Sequence, residues 1–195
     1  MEQTLKNLMK AFIGESQARN RYTFYAREAQ KEGFEQIAQI FLETAENERE
    51  HAKWLFRLIN DIKKKLGEEK FEEIKVEALA PTILGGTKEN LKSAIKGENY
   101  ENTTMYPEFA EQTEKDGLPE IASRLKAIAI AEKNHEETYK DLLQKVEFGT
   151  VFKKDQKISW VCKKCGYVHF GTEPPEKCPS CSHPRNYFQI KSANY

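Results

Sequence analysis

The sequence predicts a four-helix bundle with one long crossover, followed by a small β-rich module stapled by metal. Three observations carry that prediction. Residues 3 to about 147 run in a helical period with only three breaks. The two halves of that stretch repeat one another. Beyond residue 148 the helical period ends, and four cysteines appear among prolines, glycines and aromatics.

The breaks define the elements. Gly33 interrupts the first pattern. Residues 66–87, with Pro81, Gly85 and Gly86, interrupt the second. Gly117-Leu118-Pro119 interrupts the third, with the proline suited to a first helical turn. Helices are therefore expected at roughly 3–32, 34–64, 88–116 and 119–147. Two tight breaks around one long connection imply two antiparallel hairpins joined by a crossover, the ferritin-like arrangement. Gly14-Glu15 recurs as Gly97-Glu98 at an offset of 83, whereas Gly33, Ile37-Ala38, Glu48 and His51 recur as Gly117, Ile121-Ala122, Glu132 and His135 at 84. An internal duplication with a pseudo-twofold axis follows, with its one inserted residue expected at the hairpin turn. Residues 148–157 read as a flexible linker, which divides the chain into a bundle at 1–147 and a module at 158–195.

Composition narrows the function classes. A chain of 195 residues has room for one medium domain and a small one. With 32% charged and 38% hydrophobic residues, it suits solvated helices that each carry one apolar stripe. The net charge is zero, but residues 150–195 hold eight basic and three acidic side chains, so the tail is +5 and the remainder −5. A basic tail suits nucleic acid, and equally an acidic surface such as the protein's own bundle. No apolar run approaches the ~18 residues of a membrane span, and MEQTLKNLMKAF lacks the apolar segment of a signal peptide. The expectation is a cytoplasmic protein without a membrane partner, whose cysteines are reduced and serve as metal ligands rather than disulfides.

Carboxylates stand in the helical seams where leucines belong. The fourth seam runs Ile121, Leu125, Ile128, Glu132, His135, Tyr139, Leu142, Val146. The second runs Ile37, Phe41, Thr44, Glu48, His51, Leu55, Leu58, Ile62. The first places Glu15 between Phe12 and Tyr22, and the third runs Leu91, Ala94, Glu98, Glu101, Met105, Phe109. Each intrusion falls near mid-helix, so five Glu and two His can meet at one level. Burying one unpaired carboxylate is costly and several together repel; two divalent or trivalent cations would compensate. A Glu from each of two helices plus Glu-x-x-His from the other two is the donor set of di-iron and di-manganese carboxylate bundles. A lone Glu-x-x-His is usually a solvated helix face, but two copies in register within apolar seams are not. Glu43, Glu46, Glu111 and Glu137 lie off the seams and belong on the surface. Glu101 has no acidic counterpart in the first repeat, where Ala18 stands. That asymmetry suggests that one metal exchanges a histidine for Glu101 as its charge changes.

The tail reads Cys162-x2-Cys165-x12-Cys178-x2-Cys181, the spacing of a tetrahedral four-thiolate site. Zinc there would make a structural ribbon and iron a one-electron carrier. With four thiolates in place, His169 and His183 are expected at the surface or in packing.

Glu15, Glu48-x-x-His51, Glu98-x-x-Glu101 and Glu132-x-x-His135, followed by CKKCGY and CPSC, resemble the rubrerythrin family over essentially the whole chain. GESQARNRY, GENYENTTMYPEFA and KCPSCSHPRNYF are similar to that family's motifs; the gap between cysteine pairs is shorter than in free-standing rubredoxins. The resemblance implies two non-haem irons held by Glu15, Glu48, His51, Glu98, Glu101, Glu132 and His135, with Glu48 and Glu132 bridging. It implies Tyr22 and Tyr106 beside that site, and a rubredoxin-like iron on Cys162, Cys165, Cys178 and Cys181, which zinc can replace on heterologous expression. It further implies reduction of hydrogen peroxide to water in oxidative-stress protection. Electrons would come from NAD(P)H through a rubredoxin reductase and rubredoxin. A homodimer or dimer of dimers is expected, each tail docking on a partner's bundle, with no nucleic acid bound. An iron-storage ferroxidase would instead form a large shell, and a zinc-ribbon binding module would be colourless. A manganese catalase would have no use for the four-cysteine module.

Overall fold

The structure is a computed structural model and describes residues 1–67 and 72–191. Residues 68–71 of the predicted crossover and 192–195 of the predicted module lie outside the described residues. The bundle is built from α1 (Glu2–Lys31), α2 (Glu35–Leu66), α3 (Thr87–Tyr100), α4 (Tyr106–Lys115) and α5 (Pro119–Glu147). α1 and α2 form the first antiparallel hairpin, and α3, α4 and α5 the second.

The predicted third helix is not one continuous α-helix. Glu101–Met105 forms a π-helical turn between α3 and α4, with the Tyr106 N–H bonded to the Glu101 carbonyl. A π turn accommodates one extra residue without ending the helix, so this is where the repeat offset changes. Glu98 still matches Glu15 at 83, while Tyr106 already matches Tyr22 at 84. The hairpin turns cannot hold the insertion, because they are identical. Gly33 N–H bonds Gln30 O and Phe34 N–H bonds Ala29 O; Gly117 N–H bonds Glu114 O and Leu118 N–H bonds Thr113 O. Both glycines have φ near +80° (83° and 75°), the left-handed C-terminal turn that a Cβ disfavours. Past the π turn the buried seam shifts by one, to Tyr106, Ala110 and Thr113, leaving Phe109 half-buried.

The seams otherwise face inward as predicted. They pack into two apolar clusters on either side of the carboxylate level. One centres on Leu5, Leu8, Leu55, Ile59, Tyr106 and Leu125, the other on Tyr22, Phe41, Ile37, Leu91, Ala94 and Tyr139. The duplication exchanges them: Leu8 in one corresponds to Leu91 in the other, Tyr106 to Tyr22, Leu55 to Tyr139. The pseudo-twofold axis therefore runs through the polar layer.

The crossover, between Leu66 and Thr87, is tied down by polar contacts. Gln17 Nε2 donates to Leu79 O at 2.8 Å and Tyr25 Oη to Ile83 O at 2.9 Å. Glu32, at the turn between α1 and α2, accepts the Thr87 N–H at 3.1 Å, which caps the N-terminus of α3.

Beyond α5, the module is a three-stranded antiparallel sheet, ordered β2 (Val168–Gly171), β1 (Ile158–Cys162), β3 (Phe188–Ile190). Trp160 and Phe188 fill its small core with Cys162 and Cys178. Residues 148–157 are not a free tether in this structure. Phe152 stacks on Phe34 with ring centroids 6.4 Å apart, and Lys163 Nζ donates to Glu35 O at 3.2 Å. The module thus rests on the turn of its own first hairpin.

Candidate metal centres

The four cysteines converge from two matching knuckles. In the first, the Gly166 N–H bonds Cys162 O; in the second, the Ser182 N–H bonds Cys178 O, both at 2.8 Å. Both turns need a left-handed residue, Gly166 at φ 77° and Ser182 at φ 60°. Sγ atoms of Cys162 and Cys181 lie 3.7 Å apart, and those of Cys165 and Cys178 3.6 Å. A tetrahedron with metal–sulfur bonds of about 2.3 Å has edges of about 3.8 Å, so the thiols are spaced for one ion. The Tyr167 backbone N–H, above all, brings the Cys165 thiol down to about 6, toward the thiolate that a metal requires. His169 and His183 are half-buried and outside the cluster.

At the waist of the bundle, Glu15, Glu48, Glu98 and Glu132 have no solvent exposure. Glu48 and Glu132 each direct one oxygen to each histidine. His51 Nδ1 lies 3.0 Å from Glu48 Oε2 and 2.8 Å from Glu132 Oε1. His135 Nδ1 lies 3.3 Å from Glu48 Oε1 and 2.8 Å from Glu132 Oε2. Two overlapping donor groups result: Glu15, Glu48, His51 and Glu132, and Glu48, Glu98, Glu132 and His135. The shared pair is the one predicted to bridge. Tyr106 Oη donates to Glu15 Oε1 and Tyr22 Oη to Glu98 Oε1, again as pseudo-twofold mates. Glu101, on the π turn, is buried at the same level but belongs to neither donor group.

This cluster fits two cations. Glu15 Oε2 is buried without a hydrogen-bond partner, and the buried carboxylates of Glu48, Glu98 and Glu132 have only two imidazoles and the Tyr22 phenol beside them, a costly state for clustered carboxylates. Burial, then the charges of Glu132, Glu48 and Glu101, pushes Glu15 well up. Burial and the neighbouring Glu48 push Glu98 up to about 8. Burial opposes the charged form of Glu48 too, but hydrogen bonds from His135 and His51 outweigh it and bring the carboxyl down to about 2. The histidines move the other way: against burial, Glu132 and Glu48 raise His51 to about 10 and His135 to about 12. Five carboxylates outnumber two imidazoles, and two divalent ions would supply the missing positive charge.

The surroundings differ on the two sides. A cavity of about 200 Å³ opens beside His51, lined by Trp54, Arg124, Ala127 and Ile128. Arg57 and Arg124 lie over the Trp54 ring at 4.9 and 4.0 Å. Beside the other donor group, Glu136 is buried and accepts Asn99 Nδ2 at 2.9 Å and Asn102 Nδ2 at 2.8 Å. Asn102 Nδ2 also donates to Glu98 O, so Glu136 braces the π turn against α5. Glu136 and its asparagines read as solvated helix residues in the sequence. Their mates in the first repeat are Ala52, Ser16 and Arg19, none of them an acid or an amide. The surface carboxylates Glu43, Glu46, Glu111 and Glu137 are exposed as expected.

Comparison with known proteins agrees with both centres. Residues 6–143 match the family model described as Rubrerythrin, and residues 160–189 the one described as Rubrerythrin, rubredoxin-like domain. The chain belongs to the rubrerythrin family. It is 63% identical to a putative rubrerythrin of Methanocaldococcus jannaschii, over 100% of this chain and 96% of that one. It is 50% identical to rubrerythrin-1 of Clostridium acetobutylicum, over 98% and 96%. A structure titled fully reduced, all-ferrous nigerythrin superposes with a TM-score of 0.62 at 30% identity, covering 96% of this chain and 86% of that one. The waist of the bundle is thus the di-iron centre of a rubrerythrin-family protein, and the knuckles are its rubredoxin-like site. Among the described residues, no helix is long and apolar enough to cross a membrane.

Proposed function

We propose that this protein is a cytoplasmic peroxidase that reduces hydrogen peroxide to two waters. Its electrons come from NAD(P)H through a rubredoxin reductase, rubredoxin and the protein's own four-cysteine iron. The observation that carries the proposal is the joining, in one chain, of a two-metal carboxylate site to a four-thiolate site. The second is a one-electron relay of use only to a centre that consumes electrons repeatedly.

Two ferrous ions held in the two-metal carboxylate site would supply two electrons and Lewis acidity for O–O cleavage, with two protons taken up to give two waters. The chain's residues hold and shape that pair. Glu48 and Glu132, common to both donor groups, would be shared by the two ions, with Glu15 and His51 completing one ligand set and Glu98 and His135 the other. Tyr106 and Tyr22 fix Glu15 and Glu98 by donating to Oε1 of each, which leaves Oε2 free to serve as a ligand. Glu101 is buried at the same level and would serve as an additional anionic ligand, which a harder ferric ion would favour over imidazole.

Electron entry favours a homodimer or a dimer of dimers. Within one chain the module rests at Glu35, about 20 Å along α2 from Glu48 at 1.5 Å per residue. A partner's +5 module on the −5 bundle would shorten that path. Three experiments test this reading. Protein reduced without oxygen should oxidise NADH on peroxide addition when reductase and rubredoxin are present. Cys178→Ser should lose the visible chromophore and this turnover while the bundle stays folded; wild-type turnover by that variant would refute the route. Mixed dimers of Cys178→Ser and Glu132→Ala chains should regain activity, and their failure would refute delivery between subunits.

A further inference from the structure

The duplication makes His51 and His135 mates of one another, so a difference between the surroundings of the two rings is informative. His135 Nε2, on the side of the ring away from the carboxylates, lies 3.3 Å from Asn47 Oδ1. An amide oxygen only accepts, so this contact places the proton on Nε2 and leaves Nδ1, which faces Glu132, Glu48 and Glu98, as the metal donor. The pseudo-twofold mate of His135 is His51, and the mate of Asn47 is Ala131. Alanine has no acceptor. His51 Nε2 has no hydrogen-bond partner among the described residues, and the ring borders the cavity formed with Trp54, Arg124, Ala127 and Ile128. Its side chain is 16% exposed, that of His135 8%.

We propose that Asn47 is a positioning residue that locks the tautomer and orientation of His135, and that Ala131, by withholding the same bond from His51, makes the two imidazoles inequivalent. One metal is then held by a braced histidine. The other is held by a ring free to turn toward the adjoining cavity. The inference rests on the di-iron reading of the site and is independent of peroxide as substrate. Outer partners of metal-bound histidines typically contribute 10–100-fold to metal affinity. Asn47 is exposed and its bond long, so its share falls at the lower end, about 10-fold.

The test uses the all-ferrous protein, in which the imidazole N–H protons of iron-bound histidines are resolved by their paramagnetic shifts. The wild type should show one slowly exchanging N–H, from His135, and one that exchanges rapidly with solvent. Release of iron to a ferrous chelator should be biphasic. Asn47→Ala should abolish the slow N–H and speed the slower release phase by about 10-fold, and Asn47→Asp, which keeps the acceptor oxygen, should restore both. Ala131→Asn should give a second slow N–H and slow the faster release phase. Equal exchange of the two N–H protons in the wild type, or an unchanged slow N–H in Asn47→Ala, would overturn the proposal. None of these readouts involves peroxide turnover, so they stand apart from the outcome of the peroxidase assay.

Discussion

Tyr22 and Tyr106 offer a test of the pseudo-symmetry at the heart of the site. Each phenol is wholly buried and donates to a carboxylate of the opposite hairpin, Tyr22 to Glu98 and Tyr106 to Glu15. Phenylalanine preserves the shape and packing of the ring, so Tyr106→Phe removes one hydrogen bond and leaves Glu15 Oε1 buried without a donor. Hydrogen bonds to charged groups contribute about 1.5–3 kcal/mol. Tyr106 and Glu15 are both without solvent exposure, so bulk solvent does not reach the lost donor's place, and about 2 kcal/mol is the expected destabilisation of the iron-loaded protein. For a chain of this size 1 kcal/mol shifts Tm by about 2–4 °C, which predicts a fall of about 4–8 °C. Tyr22→Phe should produce a fall of the same size, because the duplication makes its bond the mate of the first. Thermal unfolding of the loaded variants, with iron content measured before each scan, is the assay. A fall below 2 °C in both variants would refute the assigned hydrogen bonds. A large fall in only one would refute their equivalence.

Glu101→Ala should retain two irons but lose most of its peroxidase rate. Loss of iron would make Glu101 a structural ligand, and full activity would remove it from the mechanism. Ser182→Gly should stabilise the module by about 1 kcal/mol, since a non-glycine residue pays about that much at φ 60°; an unchanged midpoint for loss of the iron–thiolate chromophore in denaturant would contradict the strain. Metal-free protein should lose stability as pH rises. Glu98 at about 8 and His51 at about 10 have folded values above their ordinary ones, so their stabilising contributions are complete only at low pH and disappear as pH climbs through those values. The metal-free urea midpoint should therefore drop between pH 6 and pH 9 while that of the loaded protein holds; a rising metal-free midpoint would show that the charges are compensated in some other way.

Much of the site was legible in the sequence because a buried carboxylate in an apolar seam is a strong violation of pattern. Glu48, His51, Glu132 and His135 stood out for that reason, and the paired cysteines through spacing alone. The π turn was not legible. One extra residue shifts the helical phase by only about 100°, and Met105 and Tyr106 can both read as seam positions across the join. The insertion was therefore expected at a turn, where insertions are usually cheapest, rather than inside a helix beside Glu101. Asn47 and Glu136 were missed for another reason: both look like ordinary polar positions on charged helices, and only three-dimensional neighbours reveal what they hold. The seating of the module on Phe34 and Glu35 depends on contacts between distant segments that no local pattern encodes.

The exchange of the two apolar clusters by the duplication shows why the repeats benefit from being fused. A pair of separate, identical hairpins could build the same waist, with four glutamates and two histidines around two ions. Such a pair would be obliged to carry every local change twice, once on each side. Covalent linkage removes that obligation. The extra residue of the π turn, the acid at Glu101, the brace at Glu136 and the amide at Asn47 each occur on one side only. Fusion thus allows a scaffold of near-equal halves to acquire a front and a back.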